Sequence, residues 1–385
     1  MRSRPTSWSA PDPKLTAPDV RRFGLLLLVV LSLASGAGAN EQFAVDGRRL
    51  LRGGVAFQVR GVCYQPTPIG DDPARAAPRG DYYTPEYAAL WARDLPLLRA
   101  LGANVVRIYG WNPAGDHRAF LDACYNGGRD PLHVLVNRWI EPSTPWDDPR
   151  AIDRLTAEFL EIDERLGDHP AVLAIVIGNE SNAHHGNGER PAFRAGVGSI
   201  ENAIKRQSPR RLVSAAITDA IPQIAAHDAA LAGLDFWCVQ TYRGESMGSL
   251  FDEYAKASPR PLVLTEFGVD AFDHASGKPY PENGAIPAGI IASLWREIAA
   301  NGAVCSGGCV FAFADEWWKS GGATTHDAGG FPLGSLPDGF ANEEWWGLFA
   351  VAPDPGGLDR LIPRASFEAL RAAWSPVPSE VPPHG

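Results

Sequence analysis

The sequence VLAIVIGNESN, residues 172–182, carries the clearest structural signal in the chain. Its first six residues are aliphatic without interruption, and a Gly-Asn pair then leads directly to Glu180. An unbroken apolar run bounded by turn-forming residues is typical of a strand buried on both faces. A second stretch, PLVLTEFG at 261–268, has the same pattern and places Glu266 near its end. Because a carboxylate in such a position is costly to bury without a task, both glutamates are candidate functional residues.

Strand and helix patterns alternate on both sides of these two stretches. Further strands are predicted at 58–65, 104–110, 133–140, 212–217, 234–242 and 308–315. Amphipathic patterns predict helices between the strands and a last helix near 365–374, while two Gly-containing turns predict short hairpin strands before the first strand. No Gly-rich dinucleotide fingerprint follows the first strand, which disfavours an open doubly wound sheet. The pattern therefore predicts an α/β fold, a (β/α)8 TIM barrel with a short N-terminal β-hairpin extension.

The first 39 residues are predicted to be a signal peptide. An Arg-Arg pair at 21–22 precedes the apolar run 23–33, and small residues close the segment at 37–39. The run is short for a bilayer span, and an uncleaved signal anchor is the alternative. We therefore expect an extracytoplasmic protein, periplasmic or secreted, with no other membrane association.

The rest of the chain is expected to be one catalytic domain at 40–374, followed by a disordered Pro-rich tail at 375–385. The 385 residues carry 35 Lys and Arg against 45 Asp and Glu, a formal net charge of −10. This acidic balance disfavours nucleic acid and anionic lipid as partners. We expect the protein to be a monomer.

No metal or cofactor is expected, since no His or Cys cluster in the sequence has the spacing of a structural zinc site. The five cysteines are Cys63, Cys124, Cys238, Cys305 and Cys309. The odd number leaves at least one thiol unpaired within the chain. Cys305 and Cys309 could bridge a loop, whereas Cys63 and Cys238 lie in strand-like runs and are expected to be buried thiols.

In a TIM barrel the chemistry comes from the C-terminal ends of the strands, and polar side chains collect there in this sequence. They are Tyr64, Gln65, Arg107, Tyr109, Trp139, Glu141, Asn179, Glu180, Gln240, Tyr242, Glu266, Asp315, Glu316 and Trp317. The ends of the fourth and seventh strands lie on opposite sides of the barrel mouth. Glu180 and Glu266 should therefore face each other across a bound substrate.

A facing pair of carboxylates is what glycoside hydrolysis requires, because one protonates the leaving oxygen and the other attacks or activates water. We assign Glu180 as acid/base and Glu266 as nucleophile. Burial and a neighbouring carboxylate should raise the pKa of Glu180. Arg107 and Tyr242 are expected to hold Glu266 ionised, and Asn179 to donate to a sugar 2-hydroxyl.

Several segments resemble a known family. They are GVCYQP (61–66), RDLPLLRALGANVVRIYGWNPAGDH (93–117), EPSTPWDDP (141–149), HPAVLAIVIGNESN (169–182), LTEFG (264–268), SGGCVFAF (306–313) and NEEWWGLF (342–349). The Asn-Glu pair and the later Glu resemble clan A of the glycoside hydrolases. The runs 93–117 and 169–182 narrow the resemblance to glycoside hydrolase family 72, the β-1,3-glucanosyltransferases.

The resemblance implies a retaining β-glucan transglycosylase or endo-hydrolase that works through a covalent glycosyl-enzyme, without a cofactor. It supports Glu180 as acid/base and Glu266 as nucleophile. The residues expected to bind the substrate, a β-linked glucan or oligosaccharide, are Arg107, Tyr109, Asn179, Tyr242, Tyr64, Gln65 and Trp317.

Two alternatives stay open at this point. Another clan A β-glycosidase, acting for example on mannan, would use the same two carboxylates, and a catalytically inert glycan-binding barrel would keep them as structural ions. One or two of five tryptophans are expected to be sugar-stacking platforms. These are Trp139, Trp317, Trp318, Trp345 and Trp346. The adjacent Glu343 and Glu344 are expected to form a solvated pair.

Overall fold

The structure is a computed structural model that describes residues 42–75 and 80–375. The predicted signal peptide at 1–39 lies outside the described residues, as does the predicted tail beyond residue 375. Within the described ranges, no helix combines the length and apolar character that crossing a membrane requires.

Three short antiparallel strands precede the barrel: β1 (Phe43–Asp46), β2 (Arg49–Arg52) and β3 (Val55–Ala56). Glycines with positive φ make both connecting turns, as the sequence predicts. Phe43 and Leu50 are buried below the barrel, where the Phe43 ring lies 4.7 Å from that of His133. The predicted hairpin extension is confirmed, and it covers the N-terminal ends of the barrel strands.

Eight parallel strands close into a barrel. They are β4 (Val59–Cys63), β5 (Val105–Arg107), β6 (His133–Arg138), β7 (Val172–Ile177), β8 (Val213–Thr218), β9 (Phe236–Gln240), β10 (Leu262–Phe267) and β13 (Cys305–Val310). Each strand pairs with its neighbours in chain order, and β13 pairs with β4 to complete the ring. The closed ring confirms the predicted TIM barrel.

Eight helices follow the strands. They are α1 (Ala88–Leu101), α2 (Arg118–Tyr125), α3 (Pro149–Leu166), α4 (Pro191–Gln207), α5 (Ile221–Ala230), α6 (Leu250–Ala257), α7 (Pro281–Ala300) and α8 (Ala365–Trp374). Local sequence explains their bounds, as in α3: the Asp148 side chain accepts from the Arg150 amide, Pro149 occupies the first helical position, and Gly167 ends the helix. The buried stripe of α3, which includes Phe159 and Ile162, faces the barrel.

Short hairpins lie at the end of the barrel that the C-termini of the strands form. Strands β11 (Phe272–Asp273) and β12 (Lys278–Pro279) follow β10. The long segment after β13 contains β14 (Gly330–Pro332) paired with β15 (Phe340–Asn342), and β16 (Phe349–Ala352) paired with β17 (Arg360–Pro363).

The eighth barrel strand is displaced from its predicted position at 308–315. The strand begins at Cys305, and its residues Ser306 to Gly308 are small and give no apolar signal. They are small because the β4 backbone lies very close: a Cβ on Gly307 would be 2.2 Å from the Val59 carbonyl oxygen. The apolar residues after the strand owe their burial to other contacts: the Ala312 amide donates to Trp346, and the Leu348 amide donates to Ala312. The apolar run therefore extends beyond the strand into a packed loop.

The proposed Cys305–Cys309 bridge is wrong. Both residues lie on β13, and four residues of extended strand span about 13 Å, far more than a disulfide can bridge. All five cysteines are buried free thiols, in agreement with the expectation for Cys63 and Cys238.

The barrel closure leaves no room for a side chain at Gly61. Gly61 pairs with Cys309 across β4 and β13, and a Cβ at this position would lie 2.3 Å from Cys309 Sγ and 3.2 Å from its Cα. We expect Gly61→Ala to lower the free energy of unfolding by roughly 1–3 kcal/mol through overpacking, measured as a lower Tm. In the control, Gly198→Ala on α4, the nearest atom is Leu231 Cδ2 at 3.5 Å, and the Tm should stay unchanged or rise. An unchanged Tm for Gly61→Ala would contradict the packing argument.

Candidate active site

The chain turns sharply after β7, and this turn brings Asn179 and Glu180 to the barrel mouth. Gly178 and Glu180 both have positive φ, of 66° and 50°. The Gly178 amide donates to the Arg138 carbonyl on one side, and the Glu180 amide donates to the Ala216 carbonyl on the other. The turn is therefore fixed to both neighbouring strands, which holds the two side chains in place.

Glu266 lies in β10 and is almost fully buried. Its Oε1 accepts from Arg107 Nη1 at 2.6 Å and from the Tyr109 hydroxyl at 2.8 Å, and its Oε2 accepts from the Tyr242 hydroxyl at 2.6 Å. The donors are one cation and two hydroxyl groups, and hydrogen bonds of this charge-assisted kind are short and strong. The arrangement fixes the orientation of the Glu266 side chain.

Arg107 connects four barrel strands at this point. Besides Glu266, its guanidinium donates to Asn137 Oδ1 at 3.1 Å and to Asn179 Oδ1. The guanidinium carbon lies 3.7 Å above the centre of the Tyr109 ring. Arg107 is fully buried, so its charge depends on Glu266 for compensation.

Glu180 lies in a different environment. Burial raises the pKa of Glu180 to about 7, with a further rise from the charge of Glu266, while Arg107 and Lys319 oppose the rise. Glu180 therefore titrates near neutral pH. Two carboxyl groups in such different environments can take different roles in a reaction.

The predicted site residues do not all meet at this cluster. Arg107, Tyr109, Asn179 and Tyr242 do. Tyr64 does not, because it is fully buried and its hydroxyl donates to Asp94 on α1 at 3.0 Å. A phenol enclosed between β4 and the helix layer cannot reach a sugar, so the substrate-binding role predicted for Tyr64 is wrong.

Gln65 is buried. Its Nε2 donates to the Gly80 carbonyl at 2.9 Å, and its Oε1 accepts from the Tyr83 hydroxyl at 3.3 Å. These bonds hold the loop between β4 and α1, and a contact of Gln65 with substrate stays a prediction.

The predicted tryptophan platforms separate into two groups. Trp317 and Trp345 stack on the two faces of His326, at 4.9 and 3.6 Å between ring centres. Trp346 is buried and packs edge-on against Tyr242 and Phe311, at 5.0 and 5.7 Å. Trp346 therefore packs beside Tyr242, one of the residues that bind Glu266. Trp317 is partly exposed and stays a predicted platform.

The segment after β13 contributes Lys319, a charged residue that the sequence analysis does not single out. Lys319 Nζ lies 3.1 Å from Glu316 Oε2 and 3.5 Å from Glu343 Oε2. The solvated pair predicted at Glu343 and Glu344 is wrong for Glu344, which is buried and accepts from the amides of Ser320 and Asp327. Burial raises the pKa of Glu344 to about 7. The two tryptophans that follow Glu344 were the available signal that this carboxylate is enclosed.

The buried pair Arg107–Glu266 yields a stability prediction. Arg107→Met leaves a buried carboxylate without its cation, and we expect the free energy of unfolding to fall by roughly 3–5 kcal/mol, measured by chemical denaturation. The double variant Arg107→Met/Glu266→Gln should be less destabilised than the two single changes combined, because it removes both charges. The control is Arg49→Met, since Arg49 pairs with Asp46 in solvent and its loss should cost less than about 1 kcal/mol. If the free-energy losses of the two single variants simply add in the double variant, the proposed pairing of Arg107 with Glu266 would be contradicted.

Comparison with known proteins finds a family whose sequence profile matches most of the chain. The sequence profile of the glucanosyltransferase family, glycoside hydrolase 72, matches residues 34–327. The 1,3-beta-glucanosyltransferase gas1 of Schizosaccharomyces pombe is 27% identical over 194 residues, which are 50% of this chain and 35% of that protein. The 1,3-beta-glucanosyltransferase GAS5 of Saccharomyces cerevisiae is 28% identical over 291 residues, which are 68% of this chain and 53% of that protein. The chain thus spans between a third and about half of the length of these relatives.

Solved structures share the fold. Gas2p of Saccharomyces cerevisiae, in complex with laminaritetraose and laminaripentaose, has a TM-score of 0.56 and 16% identity, covering 87% of this chain and 68% of that one. A GH2 beta-galacturonidase from Eisenbergiella tayi, bound to galacturonate, has a TM-score of 0.60 and 17% identity, covering 86% and 54%. At these identities the similarity concerns the barrel fold.

Proposed function

The chain belongs to the glucanosyltransferase family, glycoside hydrolase family 72, and on that basis we propose that it cleaves and rejoins β-1,3-glucan through a covalent glycosyl-enzyme. The observation that supports this most strongly is the pair of carboxyl groups at the barrel mouth. Glu266 is bound by Arg107, Tyr109 and Tyr242, while burial raises the pKa of Glu180 to about 7. One group is thus ready to attack and the other to protonate.

In the first step Glu266 attacks the anomeric carbon while Glu180 donates its proton to the glycosidic oxygen. The bond between that carbon and oxygen breaks, an ester to Glu266 forms, and the reducing-end fragment leaves as an alcohol. In the second step Glu180, now ionised, takes the proton from an incoming hydroxyl group. That hydroxyl attacks the anomeric carbon, releases Glu266, and restores the β configuration.

The surrounding residues position these two groups. Arg107 and the two tyrosines fix both oxygens of Glu266, which orients its lone pairs without further reorganisation. Because Asn179 Oδ1 accepts from Arg107, its amide NH2 is the group turned toward a sugar 2-hydroxyl, a bond that strengthens in the transition state. We assign Arg107, Tyr109, Asn179 and Tyr242 to this ring of supporting contacts.

The substrate is proposed from the relatives. Those quoted above are named 1,3-beta-glucanosyltransferases, and the Gas2p structure contains β-1,3-linked gluco-oligosaccharides. We therefore propose a β-1,3-glucan as donor. The acceptor is a second glucan chain in transfer, or water in hydrolysis.

The decisive experiment incubates the protein from residue 40 onward with defined β-1,3-gluco-oligosaccharides and separates the products by length and anomer. Products longer than the substrate would establish transfer. Shorter products with β configuration alone would indicate hydrolysis by the same two glutamates. Turnover of mannan but not of any β-glucan would contradict β-1,3-glucan as the substrate. Binding of glycans without turnover of any of them would favour an inert barrel.

We further propose that the protein works outside the cytoplasm as a monomer, after removal of residues 1–39. The support is the basic, apolar and small-residue order of that segment. Cell fractionation followed by N-terminal sequencing tests this, and a mature N-terminus at residue 40 is expected. An intact N-terminus in a membrane fraction would favour the uncleaved anchor.

A further inference from the structure

The carboxylate of Asp219 binds both chain neighbours of Tyr242. Asp219 directly follows β8, and Tyr242 lies two residues beyond the end of β9. Oδ2 of Asp219 accepts from the Thr241 hydroxyl at 2.6 Å and from Arg243 Nε at 2.6 Å, and Oδ1 accepts from Arg243 Nη2 at 2.9 Å. One side chain on the neighbouring strand end therefore fixes the residues on either side of Tyr242.

Further contacts make this attachment rigid. The Thr241 amide donates to the Glu266 carbonyl on β10 at 3.0 Å, and Thr241 is buried. Arg243 Nη2 also donates to Glu253 on α6 at 2.9 Å. A guanidinium bound to a carboxylate through two N–H groups is fixed in direction as well as in distance. The backbone of Tyr242 is thus tied to β10 on one side and to β8 and α6 on the other.

The segment after β13 holds Tyr242 from a third direction. The Ser335 hydroxyl donates to the Tyr242 carbonyl at 2.6 Å, and the Tyr242 ring packs edge-on against Trp346 at 5.0 Å. The two loops approach so closely that a Cβ on Gly244 would lie 1.9 Å from the Ser335 carbonyl oxygen. The tyrosine hydroxyl therefore has a fixed place, from which it donates to Oε2 of Glu266 at 2.6 Å.

The bond from Tyr242 matters because the other donors bind the other oxygen. Arg107 and Tyr109 both donate to Oε1 of Glu266, whereas Tyr242 donates to Oε2. The orientation of the second oxygen thus depends on how exactly the Tyr242 hydroxyl is held.

We propose that Asp219 is a positioning residue for the nucleophile: by binding Thr241 and Arg243 it holds the Tyr242 hydroxyl against Oε2 of Glu266. The inference rests on the proposed function, and it adds a carboxylate that takes no part in the two chemical steps described above. Asp219 acts on the reaction through Tyr242 and makes no contact of its own with the reacting atoms.

The first test is the kinetics of Asp219→Ala on β-1,3-gluco-oligosaccharides. We expect kcat to fall by about 10- to 100-fold, the loss that a small misplacement of a reacting group causes, with little change in KM. The matched control is Asp235→Ala. Asp235 pairs with Lys205 at 2.5 Å just before the start of β9, and its side chain is 20% exposed against 21% for Asp219. This control should lower Tm and leave kcat unchanged. A raised KM with unchanged kcat in Asp219→Ala would overturn the inference.

A second test repeats the substitution without the Tyr242 hydroxyl. In Tyr242→Phe, the added change Asp219→Ala should lower kcat very little further, because the bond that Asp219 positions is already lost. The same fold-loss in both backgrounds would show that Asp219 acts by another route, and the inference would be wrong. If alanine prevents folding, Asp219→Asn keeps the shape of the side chain without its charge, and the same comparisons apply with smaller losses.

A third readout needs no turnover. In protein labelled with 3-fluorotyrosine, the ¹⁹F NMR signal of Tyr242 is assigned by its absence from Tyr242→Phe. The signal should move in Asp219→Ala and stay in place in Asp235→Ala. An unmoved signal in the folded Asp219 variant would overturn the inference. Wild-type protein without activity on any glycan would overturn the proposed function alone, because the ¹⁹F signal still tests whether Asp219 positions Tyr242.

Discussion

Replacing Glu266 with alanine should reduce turnover of β-1,3-gluco-oligosaccharides by about 10⁴-fold or more, the scale on which losing a nucleophile disables other covalent enzymes. The expected loss is this large because the carboxylate forms the glycosyl-enzyme itself. The three donors around it, on Arg107, Tyr109 and Tyr242, would lose the carboxylate that they bind. Initial rates across a range of substrate concentrations measure the loss.

A small external anion provides the matching control for Glu266→Ala. The alanine variant leaves space beside Arg107, and azide should enter it and attack a substrate that carries a good leaving group. A single displacement inverts the anomeric centre, so the product should be the α-glycosyl azide. Its appearance would identify Glu266 as the nucleophile. A β-glycosyl azide, or wild-type rates without azide, would contradict the assignment.

The contact between Arg107 and Glu266 could be predicted from the sequence, although 159 positions separate the two residues. Both follow apolar runs that predict barrel strands, and a closed barrel brings the ends of all its strands to one rim. The periodicity of the chain therefore specified the fold, and the fold specified the neighbours of Glu266. Tyr242 was assigned by the same reasoning.

The failures have a shared physical cause. Tyr64 also follows a strand, but strand side chains alternate between two directions, and one residue decides whether a side chain faces the mouth or the helices. The predicted position of the eighth strand is wrong because Ser306 to Gly308, which belong to the strand, lack apolar side chains. The close approach of β4 to these residues has no signature in the local sequence. Sequence pattern locates a strand better than it locates its ends.

The contacts of the segment after β13 could not be predicted from the periodicity of the sequence. Glu344 is enclosed by amides from residues 17 and 24 positions away, and Lys319 is held by Glu316 and Glu343 on either side in the chain. Apart from the two tryptophans that follow Glu344, nothing in the local pattern distinguishes these carboxylates from solvated ones. The irregular segment that completes the wall of the site is specified by tertiary contacts rather than by periodicity.

Glu180→Gln should reduce turnover of unactivated β-1,3-gluco-oligosaccharides by roughly 10²–10⁴-fold, the usual contribution of general acid and base catalysis. The loss should be much smaller in the first step for a substrate with a nitrophenyl leaving group, which departs without protonation. Comparison of the two substrates under single-turnover conditions measures this difference. An equal loss on both would show that Glu180 has a role other than proton donation.

The pH dependence of kcat/KM provides a second test of Glu180→Gln. The first step needs Glu180 protonated, and burial raises the pKa of Glu180 to about 7, so the wild-type kcat/KM should decline as the pH rises through that value. Glutamine does not titrate, and the alkaline limb should disappear in Glu180→Gln. Glu189→Gln, at an exposed position in the same loop, should keep both the rate and the limb. If the alkaline limb persists in Glu180→Gln, it reports the titration of a different group. The assignment of Glu180 as the proton donor would then be wrong.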